Sequence, residues 1–244
     1  SQAFVTLQEA NAIATVDLTT GEIISIEGLG TVDHALDGNE IDTNDEDGVL
    51  TLGTAPVKGL RMPDGLTSFT VGGQAYFITA NEGDARDSDV RLADVTLDET
   101  AFPNAAELQD NAVMGRLQIS GIDGDTDGDG DYDALYSYGS RSFSIFDAEG
   151  NLVFDSGSAL AEIADAAGIY PDGRSDNKGT EPENVTVGQI GSQTFAFVAL
   201  ERASAVAVFD VTDPTDPAYV NLISDEADSE PEGLEFVSMQ DSPS

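Results

Sequence analysis

The stretch from Lys178 to Asp210 reads KGTEPENVTVGQIGSQTFAFVALERASAVAVFD. Within it, Val185–Val187 and Phe195–Leu200 are short runs of apolar, β-prone residues, and the turn-like Gln189–Ser192 lies between them. Such runs on either side of a turn predict a β-hairpin, with Ala205–Val211 following as a third strand. Glu183 opens the first strand and Glu201 closes the second. Antiparallel pairing brings those two ends together, so two carboxylates are expected on one rim.

The device recurs. In PDGLTSFTVGGQAYFITANEG, residues 63–83, Asp64 and Glu82 are 18 apart, the interval that also separates Glu183 from Glu201. Gly72-Gly73-Gln74 there matches Gly191-Ser192-Gln193 in register. Ala3–Thr19 matches Ala196–Thr212 at nine of seventeen positions without a gap, and Pro231-Glu232-Gly233-Leu234 repeats the hairpin opening once more. Repeated sheet units with no helical periodicity between them predict an all-β fold of the β-propeller type. The count is three whole blades and a split one. Residues 1–244 read as a single segment beginning and ending mid-blade, with long acidic loops: a piece of a larger propeller of about seven blades, or, as the alternative, an unusually small propeller closed by the C-terminal strand against the N-terminal ones.

The charge narrows the partners. Against 47 acids stand 9 bases, a formal net charge of −38. Nucleic acid and anionic membrane both require basic surface, so neither is expected as a partner. The balance points to cations, although most of the carboxylates are expected to serve solubility. There is no cysteine, hence no disulfide, thiolate metal site or cysteine nucleophile. No apolar run reaches membrane-spanning length, and any export signal or anchor is expected outside these residues.

Two acidic loops have the character of hard-cation ligands. In LDGNEIDTNDEDG, Asp42, Asn44, Asp45 and Asp47 crowd ahead of Gly48; this is read either as an ion site or as an ordinary solvated loop. In GIDGDTDGDGDYDALYSYG, Asp125, Asp127, Asp129 and Gly130 match the opening of a calcium loop, and Asp131 and Asp133 extend the oxygen supply. The EF-hand's bidentate Glu position is Tyr136, so the reading is a calcium loop set between strands. Leu135–Phe154 is expected to supply three strands, Glu107–Met114 a short helix, and Ala159–Ala167 a helix between Ser158 and Gly168.

Taken in order, AFVTLQEANA, ANEGDARD, GDTDGDGDYDALYSYGSRSFSIFD, RSDNKGTEPENVTVG, AFVALERASAVAVFDVTDP and EPEGLEFV make the chain resemble the choice-of-anchor I family. These are secreted or surface-anchored bacterial proteins akin to those labelled mesenchyme-specific cell surface glycoproteins. The resemblance covers nearly the whole chain. It implies a propeller-like fold and export; some relatives carry an alkaline phosphatase label, and the acidic motifs are similar to those of calcium-dependent propeller phytases.

If the inner strands carry the rim acids, Asp64, Glu82, Glu183, Glu201 and Glu232 converge on one funnel mouth, and their repulsion calls for bound calcium or raised pKa values. Arg86, Arg141, Arg174, Lys178 and Arg202 lie in or beside these motifs. They are read either as a clamp for a phosphorylated or polyanionic small molecule or as structural ion pairs. A calcium-dependent phosphoesterase would use Glu183 or Glu201 to position water. The rival is a non-catalytic surface module that binds a glycan or protein. The lone His34, expected on the surface, excludes a zinc phosphatase with several histidine ligands.

Overall fold

In the computed structural model, which describes residues 1–224 and 229–242, the N-terminal repeat folds as the meander β1 (Gln2–Leu7), β2 (Ala12–Asp17) and β3 (Ile23–Gly28). Short strands β4 (Thr31–Asp33) and β5 (Lys58–Leu60) follow, then the hairpin β6 (Leu66–Val71) and β7 (Gln74–Ala80). Next come β8 (Asp89–Arg91), a one-turn helix α1 (Ala105–Leu108), β9 (Gln118–Ser120), β10 (Tyr136–Tyr138), β11 (Phe143–Asp147), β12 (Leu152–Asp155) and α2 (Ala159–Ala166). The chain closes with β13 (Pro182–Ile190), β14 (Gln193–Leu200), β15 (Ala205–Asp210) and β16 (Ala218–Ser224).

The hairpin of the opening stretch is tighter than expected. Its loop is only Gly191-Ser192, and Gly191 adopts φ 66°, a left-handed conformation that glycine enters without a Cβ penalty. β13–β14–β15–β16 is a four-stranded antiparallel meander. The second four-stranded sheet has the order β12–β11–β7–β6, so β11 pairs with β7 across a long insertion. This corrects the expected tally of three whole blades and a split one. Residues 135–154 make no blade of their own: β10 leaves to pair in parallel with β5, while β11 and β12 complete the hairpin begun at Leu66.

Alternation assigns the faces. Phe4 and Ile13 of the first sheet meet Phe77 and Phe146 of the second, with Phe4–Phe77 ring centroids 4.8 Å apart. The opposite face of the second sheet (Phe69, Ile78, Phe143, Ile145) packs on Ala196, Val198, Ala207 and Phe209 of the third. Leu160 and Ala164 of α2 join this core. The sheets thus stack face to face in series, and no closed barrel or ring of sheets is found among the described residues. A separate cluster around Leu92, Leu117, Ile119 and Leu135 supports β8, β9 and the acidic loops.

The helices differ from expectation in one case. Ser158 precedes α2 and Gly168, at φ 72°, stops it, although the Ser158 hydroxyl donates to Gly38 O and Glu162 rather than capping the helix. The helix expected over 107–114 forms earlier and spans only Ala105–Leu108, after which Gly115 and its neighbours fold back in turns onto Asp110 O.

The repeat extends to backbone strain. Asn11, Arg141 and Ser204, each next to or just before the strand that leaves the rim, have φ of 50°, 60° and 48°. Met62, Glu181 and Glu230, each preceding a proline, have φ of 46°, 51° and 37°. Left-handed conformations in non-glycine residues are uncommon, and equivalent sites sharing one mark a common rim geometry.

Candidate functional site

The first strands β6 and β13 run side by side, with Gly65 N donating to Glu183 O at 3.0 Å. A Cβ at Gly65 would meet Asn184 Cα at 2.6 Å, so glycine permits this approach. The contact sets Asp64 beside Glu183. The ends of β7 and β14 carry Glu82 and Glu201 to the same rim, where Pro182 pairs with Leu200.

Two overlapping carboxylate groups result. Asp64, Glu82 and Glu183 each place an oxygen within 4.8 Å of the others, as do Glu82, Glu181 and Glu201. Glu82, Glu181 and Glu201 are buried, at 9%, 1% and 8% exposure. Two such charges about 4 Å apart repel by roughly 4 kcal/mol at an effective dielectric near 20, so the cluster must be neutralised. One answer is a proton: burial first, then the charges of Glu82 and Asp64 and a hydrogen bond with Asp64, push the Glu183 carboxyl up to about 8. Burial likewise raises Glu201, against the opposing pull of Arg202.

The other answer is basic side chains, gathered on a residue that sequence reasoning passed over. Glu181 receives Arg174 Nε at 2.6 Å, Lys178 Nζ at 3.2 Å and Arg202 Nε at 3.5 Å. Lys178 also pairs with Glu82 and bonds Gly83 O. Burial would lower its pKa, but Glu82 and Glu181 carry it upward. Arg202 reaches Glu201 at 3.1 Å and Glu230 at 2.8 Å. A signal for Glu181 existed in the repeated Glu-Pro-Glu of 181–183 and 230–232. Gln8 was also missed: it aligns with Glu201 in the seventeen-residue match, and its Nε2 donates to Glu82 at 2.9 Å.

Other expected residues lie elsewhere. Glu232 is exposed and belongs to none of the carboxylate groups, while Phe236 just beyond it stacks on Phe197 at 5.8 Å. Arg141 is buried, and its terminal nitrogens donate to Asp42 O, Ser175 O and Asn177 O, each at 2.8 Å. It ties three loops together. Arg86 pairs with Asp123 at 3.3 Å and lies 5.8 Å over the Tyr138 ring. His34, expected on the surface, is 1% exposed, with Nδ1 donating to Asn39 O at 2.7 Å.

In the first acidic loop Asp42, Asp45 and Asp47 do not bring oxygens within 4.8 Å of one another. Asp42 accepts from Asn44 N, Thr51 N and Ser175 Oγ, Asp45 binds Arg116 through two bonds of 2.7 Å, and Asp47 accepts from Val49 N and the Asn44 side chain. Its oxygens serve to hold the loop. The second loop does bring Asp125, Asp127 and Asp133 within 4.8 Å. Asp125 accepts from Gly128 N and Gly130 N, and Asp133 from the backbone and hydroxyl of Thr126, which lower its pKa. The charge of Asp129 raises Asp127, while Asp131, raised mainly by desolvation, lies along the same loop outside that trio.

No helix among the described residues is long and apolar enough to cross a membrane. Gigasin-3a of Magallana gigas is 32% identical over 120 residues, a match covering 42% of this chain and 41% of that protein. A relative in an oyster means that the family likeness alone does not fix a bacterial source. The family model described as the choice-of-anchor I domain matches residues 1–214. With that match spanning all three stacked sheets up to the end of β15, the chain belongs to the choice-of-anchor I family.

Proposed function

We propose that this chain is an extracellular, surface-associated module whose rim acids take a divalent cation of the calcium class. The observation that carries the reading is the convergence of Asp64 before β6, Glu82 after β7 and Glu183 in β13 within 4.8 Å of one another. The donors are all hard carboxylate oxygens, with no cysteine in the chain and its one histidine buried on Asn39 O, a set that suits calcium and not a thiophilic or imidazole-seeking metal. Asp125, Asp127 and Asp133 offer a second, surface-exposed site of the same chemistry.

The stacked sheets are read as an arc of a β-propeller. Ala3, Val5, Ala14 and Val16 of the first sheet occupy the positions that Ala196, Val198, Ala207 and Phe209 fill in the third, where they bury against a neighbouring sheet. The first sheet therefore presents a face built to receive another blade.

Calorimetric titration of metal-free protein with calcium tests the metal reading. Wild type is expected to bind at two sites, Asp64→Asn/Glu183→Gln to lose the rim site, and Asp125→Asn/Asp127→Asn to lose the loop site. Absence of heat and of any calcium-induced rise in melting temperature in wild type would refute it.

A second reading, a calcium-dependent phosphoesterase, is favoured by the crowding of Arg174, Lys178 and Arg202 at this rim. There a bound cation would supply polarisation of a phosphoryl oxygen, and Glu183 or Glu201 would orient water. Because each of these bases is already paired with Glu181, a substrate phosphate would have to compete for them. Hydrolysis of a phosphate ester that disappears with chelator, returns with calcium and is lost in Glu201→Gln would select this reading over pure binding.

A further inference from the structure

We propose that the outer edge of β3 and the cleft beside it bind an extended peptide that combines apolar and basic side chains, by strand addition. This stands apart from the rim acids and does not depend on a metal there. β3 is an edge strand: in the order β1–β2–β3 no described strand pairs with its far side. Its sequence, IISIEG, holds neither lysine nor proline, two of the devices that blunt an edge, its one charge is Glu27, and Ile23, Ile24 and Ile26 are 62%, 51% and 57% exposed. A six-residue edge of this kind is a template for a partner's backbone.

The cleft supplies what a bare edge lacks, a place for side chains. Between the first and second sheets lies a cavity of about 250 Å³, floored by Phe4, Ile13, Leu29 and Phe77. The pairing of Thr15 with Ser25 and of Val16 with Ile23 leaves Ile24 as an extra, bulged residue, and Ile24 lines this cleft. A strand added to β3 would extend the sheet over the cleft mouth and send alternate side chains into it.

Charge selects the occupant. The charged side chains lining the cleft are Glu27 and Glu149, both acids, and no ion pair is found for either among the described residues. In a chain of net charge −38, a lysine or arginine beside apolar residues is the complementary partner, and an acidic peptide is repelled.

The test uses a short fluorescein-labelled peptide alternating lysine and valine, with lysine–glycine, glutamate–valine and alternately N-methylated lysine–valine peptides as controls. Anisotropy gives affinity and backbone amide exchange gives location. The lysine–valine peptide is expected to protect residues 23–28 from exchange and to bind at least about tenfold more tightly than any control. Ile24→Lys, an exposed change checked for folding by circular dichroism, and Glu27→Gln/Glu149→Gln are each expected to weaken it by about tenfold or more. Equal binding of the lysine–glycine peptide, no protection at β3, or indifference to both variants would each overturn the proposal.

Discussion

Glu181 illustrates what one buried carboxylate does when three bases depend on it. Arg174, Lys178 and Arg202 all pair with it, so removing its charge takes from Arg174 the carboxylate it pairs with among the described residues and leaves Lys178 to Glu82 and Arg202 to Glu201 and Glu230. Glu181→Gln is expected to destabilise the fold by about 3 kcal/mol, read as a lower urea midpoint at unchanged slope. A loss within error of zero would mean that Glu82, Glu201 and Glu230 hold the bases unaided. His34 makes the complementary case. Burial, the largest cause, with Arg141 also opposing its charge, depresses its pKa from 6.5 to about 4. Between those values the unfolded chain binds the proton and the folded one does not, so stability falls as pH drops from about 6.5 towards 4, by up to roughly 3 kcal/mol for a shift of this size. His34→Gln is expected to flatten that segment of the stability–pH curve; an unchanged slope would assign the acid sensitivity to the carboxylates.

At the scale of elements, the close approach of β6 to β13 decides whether the rim exists. Gly65 is where the two strands nearly touch, and a methyl group there has backbone in its way at 2.6 Å. Gly65→Ala is expected to cost about 1–3 kcal/mol and to weaken calcium binding at the rim while leaving the Asp125 loop unchanged. Equal weakening of both sites would show a global effect, and no weakening would mean that the sheet spacing does not govern the rim. Gly188 plays a similar part on the other face of β13, since a Cβ there would meet the Phe236 ring at 2.3 Å. Gly188→Val should therefore lift the segment around Phe236 off the third sheet, detectable as faster proteolysis between Pro231 and Met239 with the sheet itself intact.

For the whole molecule the dominant quantity is the charge of −38 on 244 residues. Self-repulsion of this size opposes the compact state and is screened by salt. Melting temperature is therefore expected to climb with sodium chloride, and calcium at matched ionic strength should raise it further if the carboxylate groups bind it specifically. If sodium chloride alone reproduces the whole calcium effect, the reading of specific sites fails. The serial stacking of sheets has its own consequence: the second sheet shields apolar faces of both the first and the third.

The repeat made much of this legible before any coordinates. The alternation of Val185–Leu200 and its copies marks the strands, and the 18-residue interval sets Asp64 and Glu82 at the two ends of one hairpin, because both follow from local periodicity, whereas Glu183 groups with that pair and Glu201 with Glu82 and Glu181. In the glycine-rich Asp125 loop the acids are close in the chain, and Asp125, Asp127 and Asp133 of the five come within 4.8 Å of one another. What tertiary structure alone decided was everything set by long-range pairing. β11 returns to β7 across residues 81–142, Glu181 joins Arg174 and Lys178 of its own loop to Arg202 beyond β14, and Arg141 turns inward to carbonyls of loops remote from it in sequence. Spacing cannot reveal these, because a side chain's partners depend on which sheet faces which, and that is settled by burial of apolar faces between elements far apart along the chain.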